Sequence, residues 1–167
     1  MPAPLRALAL AAIAGGTLRI VDSFTGTLLS AGTLAVLYFV TDILLLAGIA
    51  GLWLRRRATL IVAGTLGLAV FAVGIFMIRA AAFGIGAYRL GAGVALLGLA
   101  VYALETLATR RAAPWAPSLW LVSLVCGIAG TLGFEPPAMT ALAGVAFGAG
   151  FVATGIETLT GQARLGA

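Results

Sequence analysis

The chain has 167 residues, of which 62% are hydrophobic and 9% are charged, and its formal net charge is +5. Ordinary soluble domains are roughly 45–50% apolar and about 25% charged, so this composition excludes a soluble globular fold. At roughly 20 residues for each membrane-spanning helix, the length accommodates about six spans and no additional soluble domain. We therefore expect an all-α, polytopic membrane protein, a compact bundle of six transmembrane helices that forms a single transmembrane domain over residues 1–167.

Six apolar segments follow one another along the chain. The first begins near Arg6 and has the composition of a signal peptide, but we expect it to be retained as a helix. Three arginines at 55–57 end the second segment, Arg79 ends the third, and the fourth stops before the arginine pair at 110–111. A Glu-Pro-Pro sequence at 135–137 separates the last two segments. The predicted spans are residues 4–22, 33–54, 59–78, 88–108, 117–133 and 138–159.

Arginine supplies every basic side chain, because the chain contains no Lys and no His. In alternate loops the arginines divide seven to three between the two sides. The larger group is Arg6, Arg55, Arg56, Arg57, Arg110, Arg111 and Arg164, and the smaller group is Arg19, Arg79 and Arg89. Positive residues accumulate in cytoplasmic loops, so we expect both termini in the cytoplasm. Basic usage restricted to arginine is compatible with a GC-rich bacterial genome, and we expect the inner (cytoplasmic) membrane of a bacterium.

Missing residue types exclude several kinds of chemistry. Without His and Lys the chain has no imidazole metal site, no His-based catalytic triad and no retinal Schiff base. Asn is absent and the only Gln is Gln162, so amide-based oxyanion holes are excluded as well. Cys126 lies in an apolar run and is interpreted as a small buried side chain. We expect no cofactor, no metal and no nucleic acid, because the arginines flank apolar segments instead of forming one polar face.

Asp42 lies near the centre of the second predicted span, nine residues after its start and twelve before its end. At about 1.5 Å per residue, it is more than roughly 10 Å from either membrane surface. An acid at this depth costs roughly 2.5–3.5 kcal/mol on insertion scales, so it should face the bundle interior. Tyr38 and Thr41 share its helical face. We expect Arg19 to be its leading basic partner, and the alternative to a functional role is a structural hydrogen bond between helices.

Other polar residues lie toward the ends of the spans. The secondary candidates are Asp22, Arg79, Arg89, Tyr102, Glu105 and Glu157. We expect Arg79 and Arg89 to extend their side chains to the membrane surface. Glu105 and Glu157 lie about one turn from the opposite surface, where we expect ion pairs.

Glycine contributes 23 residues, many of them within the predicted spans. Small residues allow helix backbones to approach closely in a membrane, where the hydrophobic effect does not drive association. Gly144 and Gly148 are one turn apart in the sixth span. They predict tight packing of this helix against another helix of the same chain or of a partner chain.

Three functions remain in competition. The first is a membrane protein that binds or moves a small apolar molecule, a lipid or a proton through a bundle cavity near Asp42. The second is a structural or accessory subunit that docks on a second copy or on another membrane chain through glycine-rich helix faces. The third is a membrane-embedded enzyme that uses Asp42 as an acid on a lipid or isoprenoid substrate. We favour the first, whose partners are the lipid bilayer and a small apolar ligand or lipid, and we expect transport or binding rather than catalysis.

Overall fold

The computed structural model describes residues 1–25, 29–82, 84–85, 88–110 and 113–161, and all regular secondary structure within them is helical. The helices are α1 (Ala3–Thr25), α2 (Ala31–Arg56), α3 (Val62–Ala82), α4 (Tyr88–Thr109), α5 (Trp115–Thr131) and α6 (Pro136–Thr160). Five of them are long and apolar enough to span a membrane, and α5 is an apolar helix of 17 residues. The prediction of an all-α membrane bundle of six helices is therefore confirmed. Arg111, Gln162 and Arg164 lie outside the described residues.

Helix α3 differs most from its predicted span. It begins at Val62 rather than near 59, and it ends at Ala82 rather than near 78. The later start reflects a turn in which the backbone N–H groups of Thr59 and Leu60 donate to the Arg56 carbonyl. The later end places Arg79 within the last turn of the helix instead of in a loop.

The helices pack as a ring in chain order, and α6 closes the ring against α1. The α3–α4 and α1–α6 interfaces are the most extensive, whereas the α2–α3 interface is small. Successive helices run antiparallel, so α1 begins and α6 ends at the same end of the bundle. This end, which also carries Arg56 and Glu105, is called the Arg56 end below. The opposite end carries Arg19, Arg79 and Arg89 and is called the Arg89 end.

Glycines bring α1 and α6 into backbone contact. A Cβ on Gly148 would collide with the carbonyl oxygen of Gly16, and a Cβ on Gly16 would collide with the carbonyl oxygen of Gly148. Gly144 also meets α1, at Ser23. Helix α1 meets α2 in a similar way, since a Cβ on Gly48 would lie 2.9 Å from the Cβ of Ala12. The glycine-rich faces of these helices are therefore occupied by other helices of the same chain.

Five aromatic side chains fill the bundle from its centre toward the Arg56 end. This aromatic barrier consists of Phe71, Tyr102, Trp120, Phe147 and Phe151, none more than 8% exposed. The rings are in mutual contact, with centroid distances between 5.2 and 6.1 Å. Aromatic pairs at such distances are favourable beyond the apolar area that they bury. The barrier closes the interior of the bundle in this half.

Glu105 on α4 caps the first turn of α3. Its Oε1 accepts a hydrogen bond of 2.8 Å from the backbone N–H of Ile61, and its Oε2 accepts one from the N–H of Gly64. The first N–H groups of a helix lack partners within the helix, and the helix dipole favours a negative charge beside them. We predicted an ion pair for Glu105. Among the described residues Glu105 has no basic partner within 4.0 Å, and its carboxylate instead accepts from two backbone N–H groups at the start of α3.

Replacing Glu105 with Ala should destabilise the protein by about 2 kcal/mol, because two backbone donors lose a charged acceptor. Thermal unfolding in detergent, followed by circular dichroism, measures the effect. The matched control is Glu135→Ala, which removes an exposed acid at the start of α6 that makes no side-chain cap hydrogen bond. Equal loss of stability in the two variants would contradict a capping role.

Candidate functional site

An open cavity of about 700 Å³ lies in the Arg89 half of the bundle. Side chains from all six helices line it. Its deep wall is apolar and includes Leu45, Ile75, Leu96 and Phe147. Phe147 belongs to the aromatic barrier, which therefore forms the floor of the cavity. Sites for small molecules commonly have volumes of roughly 300–1,000 Å³ and mostly apolar walls, so this cavity has the size and lining of a ligand site.

Asp42 and Arg79 form an ion pair at the cavity wall, with 2.6 Å between Oδ2 and Nη2. The side chains are 14% and 24% exposed, respectively. Asp42 is the twelfth residue of α2, roughly 16 Å along the helix at about 1.5 Å per residue. Asp42 therefore lies well inside α2, whereas Arg79 lies in the last turn of α3. The ion pair connects α2 with α3, whose interface is otherwise small.

Arg79, and not Arg19, is the basic partner of Asp42, so our prediction of Arg19 as the leading partner is wrong. The expectation that Arg79 extends to the membrane surface is wrong as well. The reason is the length of α3, which continues to Ala82 and holds Arg79 in its last turn beside α2.

Arg19 lies on the cavity wall and contacts the aromatic barrier instead. Its Cζ is 6.0 Å from the ring centroid of Phe147. This distance permits a cation–π interaction. Among the described residues, Arg19 has no acidic partner within 4.0 Å. Arg19 is partly buried as a whole residue and lines the cavity together with Tyr38.

Asp22 lies behind Arg19, near the Arg89 end of α1. It is 5% exposed and lies beside Arg19 and Thr41. Among the described residues, neither of its carboxylate oxygens nor the Thr41 hydroxyl has a hydrogen-bond partner. Asp22 lines a second, smaller cavity of about 460 Å³, which shares Arg19, Tyr38 and Tyr88 with the first. Thr41 lines neither cavity and lies against Asp22. Thr41 and Asp42, which the sequence places on one face of α2, therefore have different surroundings.

Two residues of the first turn of α4 complete the rim. Tyr88 and Arg89 are exposed and line the large cavity. Tyr88 was not among the residues singled out from the sequence, although the fourth span was predicted to begin there. A tyrosine at the end of a span is common at a membrane surface, so its position gives no signal that it lines a cavity. The wall residues on α5 were missed for a different reason. Leu124 and Gly127 belong to a continuous apolar run, which carries no signal for the side that faces the interior.

The remaining polar candidates lie on the other side of the aromatic barrier. Glu157 forms an ion pair with Arg56, with 3.3 Å between Oε2 and Nη2 and side chains that are 6% and 10% exposed. Tyr102 belongs to the barrier and is buried beside Arg56. The structure therefore separates the candidates into two groups. Arg19, Asp22, Tyr38, Thr41, Asp42, Arg79 and Arg89 lie in the Arg89 half, and Tyr102, Glu105 and Glu157 lie in the Arg56 half.

No protein-family model matches this chain, and no curated protein or solved structure matches it. The functional interpretation therefore depends on the cavity and its side chains. Over the described part of the chain, no group of three or more acidic or Cys side chains is placed to hold a metal ion. The apolar wall and the charged rim together suit a molecule that has both an apolar and a polar part.

Proposed function

We propose that this membrane protein binds a small apolar or amphiphilic molecule, in the cavity that contains Asp42, as part of uptake or transfer within the bilayer. One observation carries the proposal: a cavity of about 700 Å³ with an apolar wall extends to a charged pair at the middle of α2. Charged groups at this depth are costly and are typical of functional sites in membrane proteins. Solid packing around Asp42 would have favoured a structural role instead.

Two features bear on movement of the molecule. The residues that line the cavity lie in the Arg89 half and at the centre of the bundle, whereas buried aromatic rings and the Arg56–Glu157 ion pair occupy the Arg56 half. Passage through the bundle would therefore require both to separate. Binding alone requires no such change, and it is the part of the proposal that the geometry supports best.

An accessory subunit is less well supported than binding. That function relies on glycine-rich helix faces that are free to dock on another chain. Gly16, Gly48, Gly98 and Gly148 instead contact helices of this chain. We therefore do not propose docking through these faces.

Photocrosslinking tests the proposed function. Purified protein in phosphatidylcholine vesicles is illuminated with dodecanol that carries a diazirine on its chain, and the labelled residues are identified by mass spectrometry. We expect labels on the cavity wall, at Leu45, Ile75 and Leu96. Labels restricted to the exposed outer residues Phe39 and Phe76 would contradict the proposal.

Filling the cavity should abolish this labelling. Gly93 lines the cavity, and a Cβ at this position meets no atom within 4 Å, so Gly93→Phe should place a ring there without disturbing the helices. We expect wall labelling to fall several-fold. Gly32→Phe is the matched control, since a Cβ on Gly32 also meets no atom within 4 Å and this residue lies outside the cavity. Equal labelling of both variants would show that the probe does not enter the cavity.

A further inference from the structure

The charged side chains around the cavity are not balanced. Arg19, Arg79 and Arg89 oppose Asp22 and Asp42, which leaves a net charge of +1 from three positive and two negative groups. Arg79 is already paired with Asp42. The pair removes one charge of each sign from the count and leaves two arginines against Asp22.

The remaining acid offsets only part of this charge. Asp22 lies beside Arg19 and lines only the smaller cavity, which it shares with Arg19, whereas Arg89 lines only the large one. Neither arginine has an acidic partner within 4.0 Å among the described residues. Glu135 is exposed at the same end of the bundle, but it lines neither cavity. The surface that a ligand would meet is therefore positively charged.

The backbone of α4 adds to this field. The helix begins at Tyr88, and its first residues, including Arg89, Ala92 and Gly93, line the cavity. The N-terminus of a helix carries a partial positive charge and offers N–H groups that have no partner within the helix. Arginine guanidinium groups bind carboxylate and phosphate oxygens with short, charge-assisted hydrogen bonds. Tyr38 and Tyr88 add two hydroxyl groups at the same rim.

We infer that the ligand is an amphiphilic anion, a single apolar chain with a phosphate or carboxylate head group. This inference rests on the proposed function, because it specifies the molecule that the same cavity binds. The head group contacts Arg19 and Arg89, the two arginines of the cavity that have no acidic partner within 4.0 Å among the described residues, and the chain extends along the apolar wall formed by Leu45, Ile75 and Leu96. A volume of about 700 Å³ is in the range of sites for one drug-sized molecule, which favours a single chain over a diacyl lipid.

The test compares three photoactivatable probes that share one chain: dodecyl phosphate, dodecanol and dodecyltrimethylammonium. We expect dodecyl phosphate to label the cavity wall at concentrations about tenfold lower than dodecanol, and the cation to label it least. Arg19→Gln and Arg89→Gln should each remove most of this preference. Arg6→Gln is the matched control, because it deletes one exposed arginine at the opposite end of the bundle. It should leave the preference unchanged.

The possible outcomes separate the inference from the proposed function. If dodecanol labels the wall as efficiently as dodecyl phosphate, or if the two arginine variants retain the preference, the anionic ligand is wrong and the apolar site stands. If no probe labels the wall, the proposed function itself fails. If dodecyl phosphate labels the wall preferentially, competition by unlabelled dodecyl phosphate and by phosphatidylglycerol identifies the source of the anion. Stronger competition by dodecyl phosphate supports a free single-chain molecule, and equal competition supports an anionic head group supplied by the bilayer.

Discussion

Gly148→Leu should prevent stable folding of the bundle, with a loss of at least about 3 kcal/mol, because the new side chain has no space between α1 and α6. A Cβ at this position already collides with the backbone carbonyl of Gly16, and it would lie 2.8 Å from the side chain of Ile20. Backbone atoms cannot move aside as the end of a flexible side chain can. The two helices would have to separate along one of the most extensive interfaces of the ring.

Thermal unfolding and size-exclusion chromatography in detergent measure the effect of Gly148→Leu. Gly32→Leu is the matched control, because it adds the same side chain to an exposed position of α2 where a Cβ meets no atom within 4 Å. The control should melt close to the wild type. Similar melting of both variants would mean that α1 and α6 are not in backbone contact.

Asp42→Asn should destabilise the protein by about 2 kcal/mol, because it leaves the partly buried Arg79 guanidinium without its negative partner at the cavity wall. Arg79→Gln should have an effect of similar size for the opposite reason. The double variant, Asp42→Asn with Arg79→Gln, should be more stable than the sum of the two single losses predicts, since no charge is then left uncompensated. Unfolding of all four proteins under the same conditions forms the double-mutant cycle.

The matched control for this cycle is Arg89→Gln, which removes the same charge from the cavity rim without breaking an ion pair to any described residue. We expect a change of less than about 0.5 kcal/mol. Strictly additive effects of Asp42→Asn and Arg79→Gln would show that the two side chains do not interact in the folded protein.

Much of the fold could be predicted from the sequence, because the bilayer imposes a simple rule on each span. Every backbone N–H and C=O in the hydrocarbon region must be satisfied within the chain, so long apolar segments form helices. The number of helices follows from that rule and from the charged or proline-containing breaks. Helix ends follow less directly. The third span was predicted to end near residue 78 because an arginine follows, but the three alanines after Arg79 favour a helix and continue α3 to Ala82.

The candidate site could be predicted only in its least ambiguous part. Asp42 was identified because an acid at mid-span has a high cost wherever it faces lipid. The partner of Asp42 was not identified correctly. Arg19 and Arg79 lie near the same predicted membrane surface, and only the packing of α3 beside α2 decides which arginine reaches Asp42. The cap formed by Glu105 was missed for the same reason. Its two backbone partners are 41 and 44 residues away in the chain, and no local pattern connects them.

The closure of the ring has a consequence for synthesis of the protein. Helix α1 is synthesised before the other five helices, yet one of its two main interfaces is with α6, which is synthesised after them. Gly16 and Gly148 are separated by 132 residues, the difference of their numbers, in a chain of 167. Contacts between residues far apart in sequence form late, because the intervening chain must be ordered first. Until α6 is inserted, the glycine face of α1 lacks its partner helix, and the cavity has no complete wall. The ability to hold a ligand therefore arises only after α6 has been synthesised and has packed against α1.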